Sequence, residues 1–170
     1  MFKTVKYFLI ITLFFSKSLV VFGQDFTNKG KDFWVGYGSH VSMYSATGSL
    51  VSSGGGQDMV LYFTSDHDAN ITVEIPGVNY KQTYKLIANT VITSDPIPKT
   101  GDQDARIAVE GKLKTGIHIT ADYPIIAYAH IYQGSISGAS LLFPTNTLGQ
   151  SYYSLNFKQV SVCRQRKWTV

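Results

Sequence analysis

The chain has 170 residues, of which 44% are hydrophobic and 15% charged, with one cysteine and a formal net charge of +4. This length suits one domain with one core, and a single cysteine excludes an intramolecular disulfide framework. Six of the basic residues lie in the first 17 or the last seven positions, which leaves nine basic against eleven acidic residues, a net charge of −2. The mildly acidic body excludes the basic surface typical of a nucleic-acid-binding domain.

The N-terminus has the three-part pattern of a secretory signal peptide. Two lysines precede an apolar run from Tyr7 to Phe15, and small residues follow at the cleavage positions. An uncleaved anchor is the alternative, but Lys17 interrupts the apolar stretch and a spanning helix needs about 20 such residues. We predict a signal peptide over residues 1–23, cleaved after Gly23 or Gln24, and an exported chain with no membrane span after cleavage.

Strand patterns begin after a loop rich in Ser and Gly over residues 38–57. Residues 58–65 (DMVLYFTS) form a near-continuous apolar run, as expected for a strand buried on both faces. Residues 69–75 (ANITVEI) alternate, which places the β-branched apolar side chains on one face. The intervening Asp-His-Asp at residues 66–68 predicts a hairpin turn.

Seven further strands are predicted between turns marked by Pro, Gly and acidic residues. They lie at residues 80–88, 90–94, 106–110, 116–120, 125–132, 139–143 and 152–160. Short strands at regular spacing, with no amphipathic helix, predict an all-β domain over residues 24–161, a β-sandwich or jelly roll. The last strand is followed almost at once by the end of the chain, so this domain is predicted to be incomplete at its C-terminus.

Four segments together resemble the N-terminal domain family of IgGFc-binding proteins. Their order and spacing carry the resemblance: residues 29–38 (KGKDFWVGYG), 57–76 (QDMVLYFTSDHDANITVEIP), 116–132 (GIHITADYPIIAYAHIY) and 137–149 (SGASLLFPTNTLG). This module occurs in many bacterial secreted surface proteins and in a mucus-associated animal glycoprotein. The resemblance implies a secreted or cell-surface β-rich binding or adhesion module without enzymatic activity.

The end of the chain departs from the family pattern. Members continue past this point with further strands, whereas residues 162–170 (VCRQRKWTV) form an atypical basic tail that contains the single cysteine, Cys163. The hypothesis is a truncated or frameshifted fragment, which the downstream genomic sequence would test.

No set of side chains predicts a catalytic or cofactor site. The run of acidic and amide residues from Asp66 resembles the start of a calcium loop, but it lacks the later Gly and bidentate Glu of an EF-hand. The weak calcium candidates are Asp66, Asp68, Asp102 and Asp104. His118 and His130 lack further ligands nearby, so we predict hydrogen-bonded structural histidines rather than zinc ligands. We therefore predict no catalytic residue, cofactor or metal.

The aromatic residues divide into core and surface candidates. Phe33, Trp34 and Tyr128 are predicted to pack in the core, as large aromatic side chains usually do. The binding-surface candidates are Tyr37, His40, Tyr44 and Asp102. The predicted partner is an extracellular protein or glycan of unknown identity. A secreted carbohydrate-active hydrolase is one alternative, although the acidic residues cluster in turns rather than as paired carboxylates. A structural scaffold domain is the other.

Overall fold

The computed structural model describes residues 27–40, 43–45, 50–51, 57–109, 111–133 and 136–153. The predicted signal peptide, the Gly-rich end of the first loop, most of the predicted strand over residues 152–160 and the basic tail lie outside these ranges. Within them the chain forms β-strands and short 3-10 turns, so the predicted all-β, sandwich-like fold is confirmed. No helix in the described ranges is long and apolar enough to cross a membrane.

The strands are β1 (Gly30–Val35), β2 (Tyr37–Gly38), β3 (Asp58–Thr64), β4 (Ala69–Ile75), β5 (Tyr80–Leu86), β6 (Val91–Thr93), β7 (Arg106–Ile107), β8 (Ile117–Gln133) and β9 (Ile136–Leu141). From β3 onward the strands follow the predicted order, with several boundaries moved, whereas β1 and β2 precede the first predicted strand. Short 3-10 turns lie at Pro76–Val78, Gly101–Gln103 and Thr145–Thr147. The strand predicted over residues 106–110 is reduced to β7, which pairs in parallel with β2.

The 17-residue strand β8 organises the sheet. Its first part pairs with β1 on one side and β4 on the other, and β5 extends the sheet beyond β4. Its second part pairs with β3 and β9, and β6 extends the sheet beyond β3. We call the two parts the first half-sheet (β1, β4, β5 and residues 117–121) and the second half-sheet (β3, β6, β9 and residues 125–133).

The prediction of two strands over residues 116–132 was wrong, because β8 continues through Pro124. Proline lacks the N–H that a sheet ladder needs and is tolerated in a strand at a bulge. Here Gly30 pairs with Ile125 and Asp32 with Thr120, so residues 121–124 of β8 lie opposite the single residue Lys31 and form a bulge. We call these four residues the kink.

The predicted hairpin turn at residues 66–68 was also wrong. Strands β3 and β4 do not pair with each other, and both run antiparallel to β8, one after the other. Between the pairs Thr64–Ile126 and Ile71–Ala121, the chain holds six residues against four in β8. The Asp-His-Asp segment therefore matches the kink of β8 with a bulge of its own, and turn-like composition alone did not distinguish a bulge from a hairpin.

Both half-sheets contribute to one core. Odd-numbered residues of β8 face it on both sides of the kink, as the buried pairs Ile117/Ile119 and Ile125/Ala127 show. Phe33 is buried as predicted. The predicted burial of Trp34 and Tyr128 was wrong, since these side chains are 49% and 38% exposed. Strand alternation explains this result, because both occupy the face opposite to the core.

Candidate functional site

A row of polar and aromatic side chains crosses the outer face of the first half-sheet. Trp34 on β1 pairs with His118 on β8, His118 pairs with Glu74 on β4, and Glu74 pairs with Lys81 on β5. Side chains directly opposite each other on one face lie close enough to interact. The row therefore results from strand register. Trp34 and His118, its most distant members in sequence, are 84 residues apart.

Trp34 is held flat against its neighbours. Its ring is stacked on the imidazole of His118, with centroids 4.2 Å apart and planes inclined by 10°. Gly116 leaves room for the indole, because a Cβ at that position would lie 3.3 Å from two of its ring carbons. β1 is an edge strand of the first half-sheet, so nearly half of the Trp34 surface remains open to solvent.

His118 is fixed by two carboxylates. Its Nε2 lies 2.8 Å from Asp32 Oδ2, and its Nδ1 lies 3.2 Å from Glu74 Oε1. Because neutral imidazole carries one N–H and the imidazolium carries two, only the charged ring donates to both acceptors. We call Trp34, His118, Asp32 and Glu74 the Trp34 platform.

The electrostatics of the platform follow from these bonds. The hydrogen bond from His118 is the main reason that the pKa of Glu74 lies below its usual value, and Lys81 contributes further. Burial works to raise the pKa of Asp32, but hydrogen bonds from His118 and Thr145 outweigh it, so this pKa is also lowered. Both carboxylates are therefore ionised at neutral pH.

A groove lies beside the platform. It has a volume of about 550 Å³ and is lined by Thr27, Lys29, Gly30, Lys31, Asp32, Pro124, Thr145 and Asn146. The 3-10 turn containing Thr145 packs against β1, since Gly30 has no side chain and a Cβ there would lie 2.2 Å from Pro144 Cβ. Asp32 belongs to both features, so groove and platform are continuous.

A third group of side chains gathers at the kink. Tyr123 is 50% exposed, and its ring is stacked on that of His67 with 5.3 Å between centroids. Lys31 Nζ lies over the Tyr123 ring, 5.6 Å from its centre. Asp66 Oδ2 lies 3.0 Å from Lys29 Nζ. The hydrogen bond from Lys29 is the largest cause that lowers the pKa of Asp66 to about 2. The bulge that was predicted as a hairpin turn thus supports the basic end of the groove.

Three of the four weak calcium candidates are engaged elsewhere. Asp66 binds Lys29, and Asp68 Oδ1 accepts the backbone N–H of Ala88 at 2.7 Å. Asp104 forms a bidentate pair with the buried Arg106, at 2.9 and 2.6 Å. Asp102 is exposed in the Gly101–Gln103 turn. In the described ranges no group of three or more His, Cys, Asp or Glu side chains is arranged to hold a metal ion.

The predicted binding-surface residues do not form one surface. Tyr37 is fully buried and its hydroxyl donates to the Gln57 carbonyl, so it is a core residue, and burial raises its pKa. Tyr44 is half-buried, with its hydroxyl 3.0 Å from Ser39 Oγ. His40 is half-buried, and its backbone N–H donates a hydrogen bond to Met43 Sδ. Tyr37 looked exposed from its loop-like surroundings, but its short strand places it inward.

His130 is a hydrogen-bonded histidine, as predicted. Its Nδ1 lies 3.3 Å from the Tyr62 hydroxyl and its Nε2 lies 2.7 Å from Ser137 Oγ. Its ring also contacts Tyr132 at 5.0 Å between centroids. These residues and the exposed Tyr128 form the outer face of the second half-sheet, which we call the tyrosine face.

The Trp34 platform was not predicted from the amino-acid sequence. The signal was present in local alternation: Phe33 and Val35 alternate with Asp32 and Trp34, and two isoleucines flank His118. Each alternation assigns one residue to the outer face. Their convergence depends on the register of three strands that are distant in the chain, which local alternation does not specify.

No known protein-family model matches this chain, and no curated protein or solved structure shows significant similarity to it. The site must therefore be interpreted from its own geometry.

Proposed function

We propose that the chain is a secreted or cell-surface binding module without catalytic activity, and that it recognises a glycan through the Trp34 platform. The resemblance to the IgGFc-binding N-terminal domains supports export and binding. One observation supports a glycan as the ligand. The indole of Trp34 is half-exposed, is stacked on the His118 ring and lies beside carboxylates that can accept hydrogen bonds.

A glycan fits this geometry for two reasons. The C–H face of a pyranose ring makes dispersion contacts with an open aromatic ring, which provides apolar area without a deep pocket. Carboxylate oxygens accept hydrogen bonds from sugar hydroxyls, and Asp32 and Glu74 are held ionised beside the ring. Because His118 is anchored on both sides, the platform is ordered before the ligand arrives, which reduces the entropy cost of binding.

The test is direct binding of the full chain to a polysaccharide array, with immunoglobulin and mucin as protein and glycoprotein probes. Trp34→Ala removes the platform ring, and we expect affinity for the glycan to fall at least about tenfold, as for a binding hot spot. Tyr132→Ala is the matched control, since it removes an exposed aromatic ring from the tyrosine face. Circular dichroism verifies that both variants fold.

The outcomes separate the hypotheses. Saturable glycan binding that Trp34→Ala weakens and Tyr132→Ala leaves intact supports the proposal. Binding of a protein probe that only Tyr132→Ala weakens overturns it in favour of protein recognition through the tyrosine face. Absence of saturable binding to every probe also overturns it and favours a scaffold role.

A secreted glycoside hydrolase is the second candidate, because Asp32 and Glu74 flank one histidine on a single face. Such enzymes pair two carboxyl groups, one of which must carry a proton to donate to the leaving group. Here both pKa values are lowered, so neither group is protonated at neutral pH. We expect no release of reducing ends from the bound glycan, and turnover that Asp32→Asn abolishes would establish the enzyme instead.

A further inference from the structure

The groove beside the Trp34 platform points to the chemical class of the glycan. We infer that the ligand is an acidic glycan: one sugar ring stacks on Trp34, and its carboxylate or sulfate oxygens enter the groove and bind Lys31. This inference rests on the proposed glycan-binding function.

The groove is continuous with the Trp34 platform. Asp32 lines the groove and also binds His118, whose ring is stacked on Trp34. A substituent of a sugar stacked on the indole therefore has the groove within reach along β1. The volume of about 550 Å³ exceeds what one acidic group needs, and it lies in the range of small-molecule binding pockets.

The charges of the groove favour an anionic ligand. Within the described part of the chain Lys31 forms no ion pair, and its Nζ lies 5.6 Å from the centre of the Tyr123 ring. Lys29 is neutralised by Asp66 at 3.0 Å. The one carboxylate that lines the groove, Asp32, is hydrogen-bonded to His118 Nε2 at 2.8 Å. The ammonium group of Lys31 is therefore a cation of the groove without an ion-pair partner in the described residues, and it favours an anion.

The hydrogen-bonding groups of the groove also suit such a ligand. Asn146 also lines the groove, and its side-chain amide suits oxyanions as well as sugar hydroxyls. The Thr145 hydroxyl donates to Asp32, and its oxygen can still accept from a sugar hydroxyl. A cationic ligand is disfavoured, because it would face Lys31 and would compete with His118 for Asp32. A neutral glycan would bind the platform but would leave Lys31 unused.

The test compares a hexamer of uronic acid residues with its carboxyl-reduced counterpart, which has the same backbone and no charge. A sulfated neutral hexamer distinguishes sulfate from carboxylate. Calorimetry with the full chain measures each affinity. We expect the uronate or the sulfated hexamer to bind more tightly than the reduced one, with an affinity that falls as salt is raised.

Lys31→Gln should weaken binding of the preferred acidic hexamer by about fivefold, the effect of one exposed charge contact, and should leave the reduced hexamer unchanged. Lys85→Gln is the matched control, since it makes the same charge change at an exposed position on β5 of the same half-sheet. Trp34→Ala should weaken all the hexamers.

Three results would overturn the inference. The reduced hexamer binds as tightly as the acidic ones, or Lys31→Gln has no larger effect than Lys85→Gln, or no acidic hexamer binds the wild-type chain. In the first two cases loss of binding in Trp34→Ala still upholds the glycan-binding proposal. In the third case the polysaccharide array decides that proposal independently.

Discussion

The outer faces of the two half-sheets differ although one strand supplies the centre of both. On the first face His118 lies between two carboxylates and supports Trp34. On the second face His130 lies between two hydroxyls, those of Tyr62 and Ser137. Both histidines occupy even-numbered positions of β8, so neighbouring strands alone determine that one histidine meets carboxylates and the other meets hydroxyls. The character of a histidine site is set by its cross-strand partners.

The two half-sheets differ on their outer faces but share one core. Ile119 from the first and Leu61 from the second are both fully buried in it. Truncation to alanine removes buried methyl groups and leaves a cavity, so each variant should lose about 2–5 kcal/mol of unfolding free energy. Urea denaturation followed by tryptophan fluorescence measures this loss. A full loss in one variant and none in the other would show that the half-sheets are stabilised separately.

Leucine at the two histidine positions sharpens the contrast between the faces. His130→Leu removes hydrogen bonds to two hydroxyl groups and should cost about 1 kcal/mol. His118→Leu should cost more, since it leaves Asp32 and Glu74 facing each other without the ring that is hydrogen-bonded to both. It should also weaken glycan binding, because Trp34 loses its support. Thermal unfolding and the glycan assay measure the two effects, and equal destabilisation by both variants would contradict the assignment of charge to the first face.

Acid should act on the first half-sheet and the kink before it acts on the tyrosine face. Lysine and histidine hydrogen bonds lower the pKa of Asp66 from 3.8 to about 2. A lowered carboxyl pKa means that the unfolded chain binds more protons, so this stabilisation is present above pH 3.8 and is lost as the pH falls towards 2. Asp66→Asn should flatten the decline of the urea midpoint in that interval, by a small amount because the group is exposed.

The matched control for the acid experiment is Ser137→Ala on the tyrosine face, which removes a neutral partner of His130. Its decline over the same interval should parallel that of the wild type. A slope in Asp66→Asn identical to that of the wild type would show that the Lys29–Asp66 pair does not contribute to stability.

Local pattern predicted most of the fold. The alternation in residues 69–75 placed Ile71, Val73 and Ile75 on the core face, where all three are fully buried. Alternation in β8 likewise puts Tyr128, His130 and Tyr132 on one face of the sheet. The wrong predictions lie where the same local composition is compatible with two backbone structures. Residues 66–68 have a turn composition but form a bulge, and Pro124 interrupts the strand pattern but not the strand.

The candidate site was less predictable than the fold. Of the predicted surface residues, Tyr37 is buried, and Asp102 is exposed in a turn remote in sequence from the platform residues. Trp34 was assigned to the core on the general tendency of large aromatic residues, which its position on an outward-facing edge strand overrides. The burial of aromatic residues is a statistical tendency, whereas alternation along a strand is a geometric constraint on which face a side chain occupies.

The amino-acid sequence by itself determined the class of the domain and, where alternation is clear, which residues of a strand share a face, because alternation has the two-residue period of the strand. Only the tertiary structure decided which outward residues meet. Register brings Asp32, His118 and Glu74 together from three strands, and the paired bulges bend the sheet so that Lys29 and Lys31 line the groove. Register depends on long-range pairing free energies, which no local stretch of the chain contains.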